Sequence, residues 1–326
     1  MAIHRSWRPS RLTALGACIR RVGFRIAPPR VAAFTSEAGR SEYEDAYRRA
    51  VAALWPVPVE SRFVVTSSGT THALVSGPVD APPLVLLHGA GLSAVSWYPN
   101  AARLAAAHRV YALDTVFDSG LGRQTELIRG RRDVARWLSE VIDGFGLDRP
   151  AVAGLSQGGW AAASLARFEP AHVSRVALLA PAATVQPFRL YVALFLRYSY
   201  LLRRGDAVDS SRRSFGMVFG DRFVPDDRFV ELAAAGSAHF RYTRPPVMPT
   251  VFSDEDLSAI DVPMLVMLPA REMIYGPAKA QERIQRLAPQ AEVEMVPDAG
   301  HFVSMEAAES VDARLLEFLD PGRPPG

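Results

Sequence analysis

The sequence predicts an α/β protein: a mostly parallel central sheet covered by helices, with a helical cap inserted late in the chain. Two observations carry that reading. Short, continuously apolar runs alternate with stretches of helical periodicity, the pattern of strands buried on both faces and joined by crossover helices. One interval, residues 185–258, breaks the alternation and is rich in aromatics and arginine, with "FRLYVALFLRYSYLLRR" followed by "FGMVFGDRFVPDDRFVELAAAGSAHFRY". It lies between two runs of one sheet, so an inserted cap is the economical reading. The expected organisation is a basic extension over 1–40, a first core part over 41–184, the cap over 185–258 and a second core part over 259–326.

The elements follow in order. Ser41 and Glu44 have capping-box spacing, and Tyr43, Tyr47, Val51, Leu54 and Trp55 then recur on one helical face until Pro56 and Pro58 stop the helix. "RFVVT" at 62–66 and "THALV" at 71–75, separated by Ser67, Ser68 and Gly69, read as an antiparallel hairpin. The alternation starts with "PLVLLH" at 83–88, a helix through Leu104 and "HRVYALD" at 108–114. A helix carrying Val134, Trp137, Leu138, Val141 and Ile142 leads to "PAVAGL" at 150–155, a helix from Gln157 to Phe168 and "SRVALLAP" at 174–181. After the interval come "PMLVML" at 263–268, a helix at 277–288, "AEVEMVP" at 291–297 and a closing helix with Ala308, Val311, Leu315 and Phe318 on one face.

Composition narrows the function. The chain of 326 residues is 49% hydrophobic and 22% charged, as soluble globular proteins are. No run of 18 apolar residues occurs, so no membrane-spanning helix is expected. The first 36 residues hold seven arginines and no acid, and setting those apart leaves 30 basic residues against 34 acidic ones. A mildly acidic body argues against nucleic-acid binding. The basic head reads as a solvated extension of a cytoplasmic protein. The alternative is export or lipidation, because "LTALGAC" before Cys18 loosely matches a lipoprotein cleavage box. Cys18 is the single cysteine, which rules out an internal disulfide. Neither a cofactor-binding glycine motif nor metal-ligand spacing is found, so no cofactor and no metal are expected. The expected partner is a small-molecule substrate; oligomeric state is not read from the sequence.

The chemistry lies in "AVAGLSQGGW" at 151–160. A serine between a buried strand and a helix projects above the carboxyl edge of the sheet, where α/β folds place their sites. The turn is sharp enough that residues two before and two after it must be small, and Gly154 and Gly158 meet that need. Ser156 needs a base. Of seven histidines, His301 directly follows the last strand, in "VPDAGHF", after the serine and at the same sheet edge. The acid should follow a strand between them, and Glu272, in "PAREMIYGP", is the first carboxylate after "MLVML". Asp298 competes but is close in sequence to His301. The main-chain N–H groups of Ala90, in "LLHGAG", and Gln157 can converge on a tetrahedral oxyanion. In the cap, Phe188, Tyr191 and Phe195 are candidate substrate-binding residues.

The segments "LVLLHGAG", "SWYPN", "VYALD", "GLSQGGW", "VSRVALLAPA", "PMLVMLPARE" and "PDAGHFVSMEAAESVDARLLEFL" resemble the α/β-hydrolase family, in its capped esterase and lipase-like group, from about residue 60 to 320. The resemblance implies nucleophile Ser156, acid Glu272, base His301 and oxyanion donors near Ala90 and Gln157. It implies hydrolysis of an ester, lactone or thioester. A non-hydrolytic helper, lyase or receptor of the same fold, and a C–C bond hydrolase, stay open as alternatives. Two features depart from the family pattern. Glu272 stands where Asp is common, and the loop after Asp114 reads "TVFDSGLGR" instead of the usual glycine-rich turn.

Overall fold

The computed structural model describes residues 29–190, 207–219, 223–320 and 322. Its strands are β1 (Ala33–Phe34), β2 (Glu60–Thr66), β3 (Gly69–Ser76), β4 (Pro83–Leu87), β5 (Arg109–Asp114), β6 (Arg123–Gln124), β7 (Ala151–Leu155), β8 (Arg175–Leu179), β9 (Phe240–Arg241), β10 (Met264–Pro269) and β11 (Glu292–Val296). Its helices are α1 (Glu37–Leu54), α2 (Tyr98–Ala107), α3 (Arg131–Gly144), α4 (Gln157–Phe168), α5 (Ala207–Phe219), α6 (Asp227–His239), α7 (Asp254–Ser258), α8 (Pro277–Leu287), α9 (Val303–Glu306) and α10 (Ala308–Leu319). The main sheet runs β11-β10-β8-β7-β4-β5-β3-β2, with β6 beside β3. The six strands from β11 to β5 are parallel, and the β2–β3 hairpin continues the sheet antiparallel from β5. This is the expected α/β architecture.

The apolar runs sit at the centre because both sheet faces are covered. Leu84, Leu86, Ala153, Leu155, Leu265 and Met267 face the layer of α1, α2 and α10. Val85, Leu87, Val152, Val266 and Leu268 face α3, α4 and α8. Successive residues of a strand point to opposite faces, so a strand between two helical layers must be apolar at every position. Chain order reverses at β4, which lies between β5 and β7, and Leu87 of β4 pairs with Gly154 of β7. That reversal opens a crevice at the strands' carboxyl ends. Among the described residues, no helix is long and apolar enough to cross a membrane.

The amino-terminal boundary differs from expectation. α1 begins four residues before Ser41, capped by Ser36, whose Oγ accepts the Gly39 N–H at 3.1 Å. Arg30, inside the extension expected over 1–40, bridges Arg244. β1 pairs with β9, and the Ala32 N–H donates to Gln124 Oε1 at 2.7 Å. Phe34 meets Phe240 edge to face at 5.2 Å, and Glu42 of α1 pairs with His239 of α6 at 2.9 Å. Residues 30–40 thus lace the chain inserted between β8 and β10 to the body. Cys18 lies outside the described residues.

A buried polar pair behind the last loops has a measurable consequence. Asn100 Nδ2 donates to Ser304 O at 3.0 Å and to Asp312 Oδ1 at 2.7 Å. Asn100 Oδ1 and Asp312 Oδ2 have no hydrogen-bond partner, so two acceptors lack a donor. Burial pushes the Asp312 carboxyl up to about 7 against the opposing Asn100 bond. A raised acid binds its proton more tightly when folded, so its stabilising contribution is full at low pH and is lost as pH rises through about 7. Asp312→Asn supplies a permanent donor. It should raise Tm at pH 8 by about 2–4 °C, with the gain shrinking toward pH 5 in a thermal melt series.

Candidate active site

Ser156 occupies the turn between β7 and α4 with φ 55° and ψ −112°. A non-glycine residue there costs on the order of 1–3 kcal/mol and persists only where its surroundings over-determine it. Both its backbone groups are pinned. Its N–H donates to Leu179 O at 2.8 Å, and its carbonyl accepts from Trp160 and Ala182, each at 3.1 Å. The flanking glycines are obligatory. A Cβ on Gly154 would lie 2.2 Å from Gly158 O, and one on Gly158 would lie 2.3 Å from Leu87 O.

Ser156 Oγ lies 2.8 Å from His301 Nε2, and His301 Nδ1 lies 2.8 Å from Glu272 Oε2. All three residues are buried. Glu272 Oε1 accepts the Ile274 N–H at 2.8 Å, so its two oxygens have separate duties. The Arg271 N–H donates to Ala299 O at 3.0 Å, joining the acid's loop to the histidine's. Asp298 points elsewhere, pairing with Arg271 at 2.7 Å on the surface. Beside Glu272, Tyr275 is buried, and burial together with the Glu272 charge holds its phenol well above the usual range.

The crevice places the Ala90 loop against Ser156: a Cβ on Gly89 would sit 3.4 Å from Ser156 Cβ. Neither the Ala90 nor the Gln157 main-chain N–H has an acceptor among the described residues. A free donor at the start of α4 and another in the loop after β4, beside a serine, suit a developing negative charge. Gln157 Nε2 donates to Val247 O at 2.9 Å, and Trp160 Nε1 to Thr250 O at 3.2 Å, so the insert's returning chain lies against α4. Phe188 is half-buried, next to Arg189, whose N–H donates to Ile274 O at 2.8 Å beside the acid's loop. Tyr191 and Phe195 lie outside the described residues.

A second Ser–His–Asp array is present. Ser61 Oγ lies 2.7 Å from His72 Nε2, and His72 Nδ1 2.8 Å from Asp114 Oδ2. Distances alone therefore do not define a reactive serine. Ser61 lies within β2, whose backbone is engaged in the sheet ladder with β3. Asp114 also accepts the N–H groups of Ala94 at 2.8 Å and Leu121 at 3.0 Å and the Tyr47 hydroxyl at 3.3 Å. Burial would raise Asp114, but the His72 bond and charge and the Ala94 N–H bring it below the usual carboxylate range. The array braces α1 and the loop after β5.

Two further site residues escaped sequence reasoning. Glu306 accepts the N–H of Gly300 at 2.9 Å and of Phe302 at 3.2 Å, gripping His301 from both sides. The signal was an acid one turn beyond the histidine. Asp118, in the altered loop, accepts the Gly91 N–H at 2.7 Å.

Among known proteins, residues 84–313 match the alpha/beta hydrolase family. The chain is 35% identical over 272 residues to the uncharacterized carboxylesterase nap of Bacillus subtilis (strain 168), covering 82% of this chain and 89% of that one. The crystal structure of carboxylesterase CesB (YbfK) from Bacillus subtilis matches with a TM-score of 0.80 at 31% identity, over 88% of this chain and 100% of that one. That of naproxen esterase (carboxylesterase NP) from the same species matches with a TM-score of 0.79 at 34% identity, over 86% and 98%. A family match over most of the core, with relatives similar along most of their length, means that this chain belongs to the alpha/beta hydrolase family.

Proposed function

We propose that the chain is a carboxylic ester hydrolase acting through an acyl-enzyme on Ser156, with His301 as base and Glu272 as the acid that orients it. The observation that carries this reading is that a relay of two 2.8 Å contacts, Glu272 Oε2 to His301 Nδ1 and His301 Nε2 to Ser156 Oγ, ends on a serine held in the strained turn between β7 and α4. The carboxylesterase names of the relatives agree with it. Ser156 attacks the ester carbonyl while His301 Nε2 takes its proton. The tetrahedral oxygen accepts the N–H groups of Ala90 and Gln157. His301 passes the proton to the departing alcohol, and a water activated by the same imidazole releases the acid.

Residues 185–258 act as a cap that selects small apolar acyl or aryl groups. The contacts of Val247 and Thr250 with the nucleophile's helix, and of Arg189 with the acid's loop, support placing it over the site. Turnover of esters, lactones and thioesters of graded acyl length tests the substrate class. Phe188→Ala should change the ratio of rates for long and short acyl esters, each lost methylene contact being worth up to about 0.8 kcal/mol. An unchanged chain-length profile would mean that Phe188 packs the cap's own interior. Binding without turnover across all three substrate types would favour a receptor role.

A further inference from the structure

We propose that Asp118 is a positioning residue for the oxyanion pocket, coupling that pocket to the returning end of the insert. The proposal rests on the serine-esterase reading above. Asp118 belongs to the loop that departs from the family pattern, and it is only 5% exposed. One carboxylate oxygen accepts the Gly91 N–H at 2.7 Å, the other the Ser119 N–H at 2.8 Å. The Tyr242 hydroxyl, just beyond β9, hydrogen-bonds the same carboxylate.

The position of Gly91 gives this contact its meaning. Gly91 follows Ala90, has φ +74°, and a Cβ there would approach Tyr242 Oη to 3.7 Å. The peptide groups on both sides of the Ala90 Cα are held. The one ahead, carrying the Gly91 N–H, is drawn to Asp118. The one behind carries the free Ala90 N–H, and its carbonyl, that of Gly89, accepts from His88 Nδ1 at 2.8 Å and from the Leu92 N–H at 3.2 Å. A hydrogen bond to an ionised carboxylate is about twice as strong as one between neutral groups. Burying that charge is unfavourable, and burial shifts Asp118 above the ordinary carboxylate range. A buried charge kept here is explained by the firmness it gives the donor loop.

The second donor is gripped by the same stretch of chain. Val247 O accepts the side-chain amide of Gln157, whose main-chain N–H is the other free donor. On the loop's far side, a Cβ on Gly236 of α6 would come within 2.8 Å of Ser119 Oγ, so the insert lies directly on the Asp118 loop. Residues 242–247 thus reach both oxyanion donors, one through Asp118 and one through Gln157. Seating the insert completes the pocket.

Asp118→Asn keeps the shape but leaves an amide NH2 facing one of the two N–H donors, and Tyr242→Phe removes only the hydroxyl. Each variant is assayed for kcat and KM on p-nitrophenyl acetate, for inhibition by phenylboronic acid as a tetrahedral mimic, and for Tm. Asp118→Asn should lower kcat about tenfold with KM little changed, and weaken the boronic acid by the same factor. Tyr242→Phe should lower kcat about threefold, and the double variant should fall no further than Asp118→Asn. Wild-type kcat and boronate affinity in Asp118→Asn would overturn the proposal, as would a raised KM with unchanged boronate affinity, which would make Asp118 part of the substrate wall. If Asp118→Asn does not fold, Tyr242→Phe carries the same two readouts. Full turnover by Ser156→Ala would instead sink the esterase reading itself.

Discussion

Ser156→Ala should lower kcat by at least about 10⁴-fold, while Tm stays near that of the parent. Ser156 is the proposed nucleophile of the acyl-enzyme, and the N–H donors that remain supply only the residual rate. Tm should hold because the strained turn is kept by backbone bonds to Leu179, Trp160 and Ala182, none of which uses the hydroxyl. Removing Oγ leaves His301 Nε2 without its protein partner in the relay. The check is labelling with a fluorophosphonate, followed by peptide mapping. The parent should be labelled at Ser156, and the variant should be silent at Ser156 and at Ser61. Labelling that moves to Ser61, with turnover retained, would assign the chemistry to the array on β2.

Glu272→Gln should lower kcat by about 10³–10⁴-fold with KM nearly unchanged. The argument concerns one proton. Glu272 Oε1 is committed to the Ile274 N–H at 2.8 Å, so a glutamine must place its carbonyl oxygen there. Its NH2 then faces His301 Nδ1, which must become an acceptor. The imidazole proton is forced onto Nε2, where it points at Ser156 Oγ and blocks proton removal. Glu272→Asp keeps the charge but shortens the reach by a methylene, so its loss should be smaller, about 10–100-fold. Equal and modest losses in the two variants would remove Glu272 from the relay.

Residues whose environment is set by near neighbours in sequence were legible beforehand; residues that depend on distant packing were not. Gly154 and Gly158 announce the turn at Ser156 because their need is local, a backbone too close to hold a side chain. His301 and Glu272 could be picked because each follows a strand end. Asp298, the competing acid disfavoured for its closeness in sequence to His301, stands at φ 56° and spends its carboxylate on Arg271. Ser41 and Glu44 have the spacing of a cap, yet both lie within α1, since Ser36 reaches the Gly39 N–H first. Asp118 and the two-residue β1 carried no readable signal, because each acts through a neighbour brought by folding, and Glu306 offered only its place one turn beyond His301.

The pairing of Ala33 with Arg241 also has a bearing on synthesis. The ribosome makes one half of that ladder about two hundred residues before the other. At roughly 5–20 residues per second, the early half waits about 10–40 s for its partner. Over that time Phe34, Tyr43 and Ala46 are without the α6 and β9 residues that later cover them. The nascent chain therefore carries the part of this apolar helix face that meets α6 and β9 uncovered over that interval, and production yield should depend on elongation rate and on chaperones that hold such surfaces.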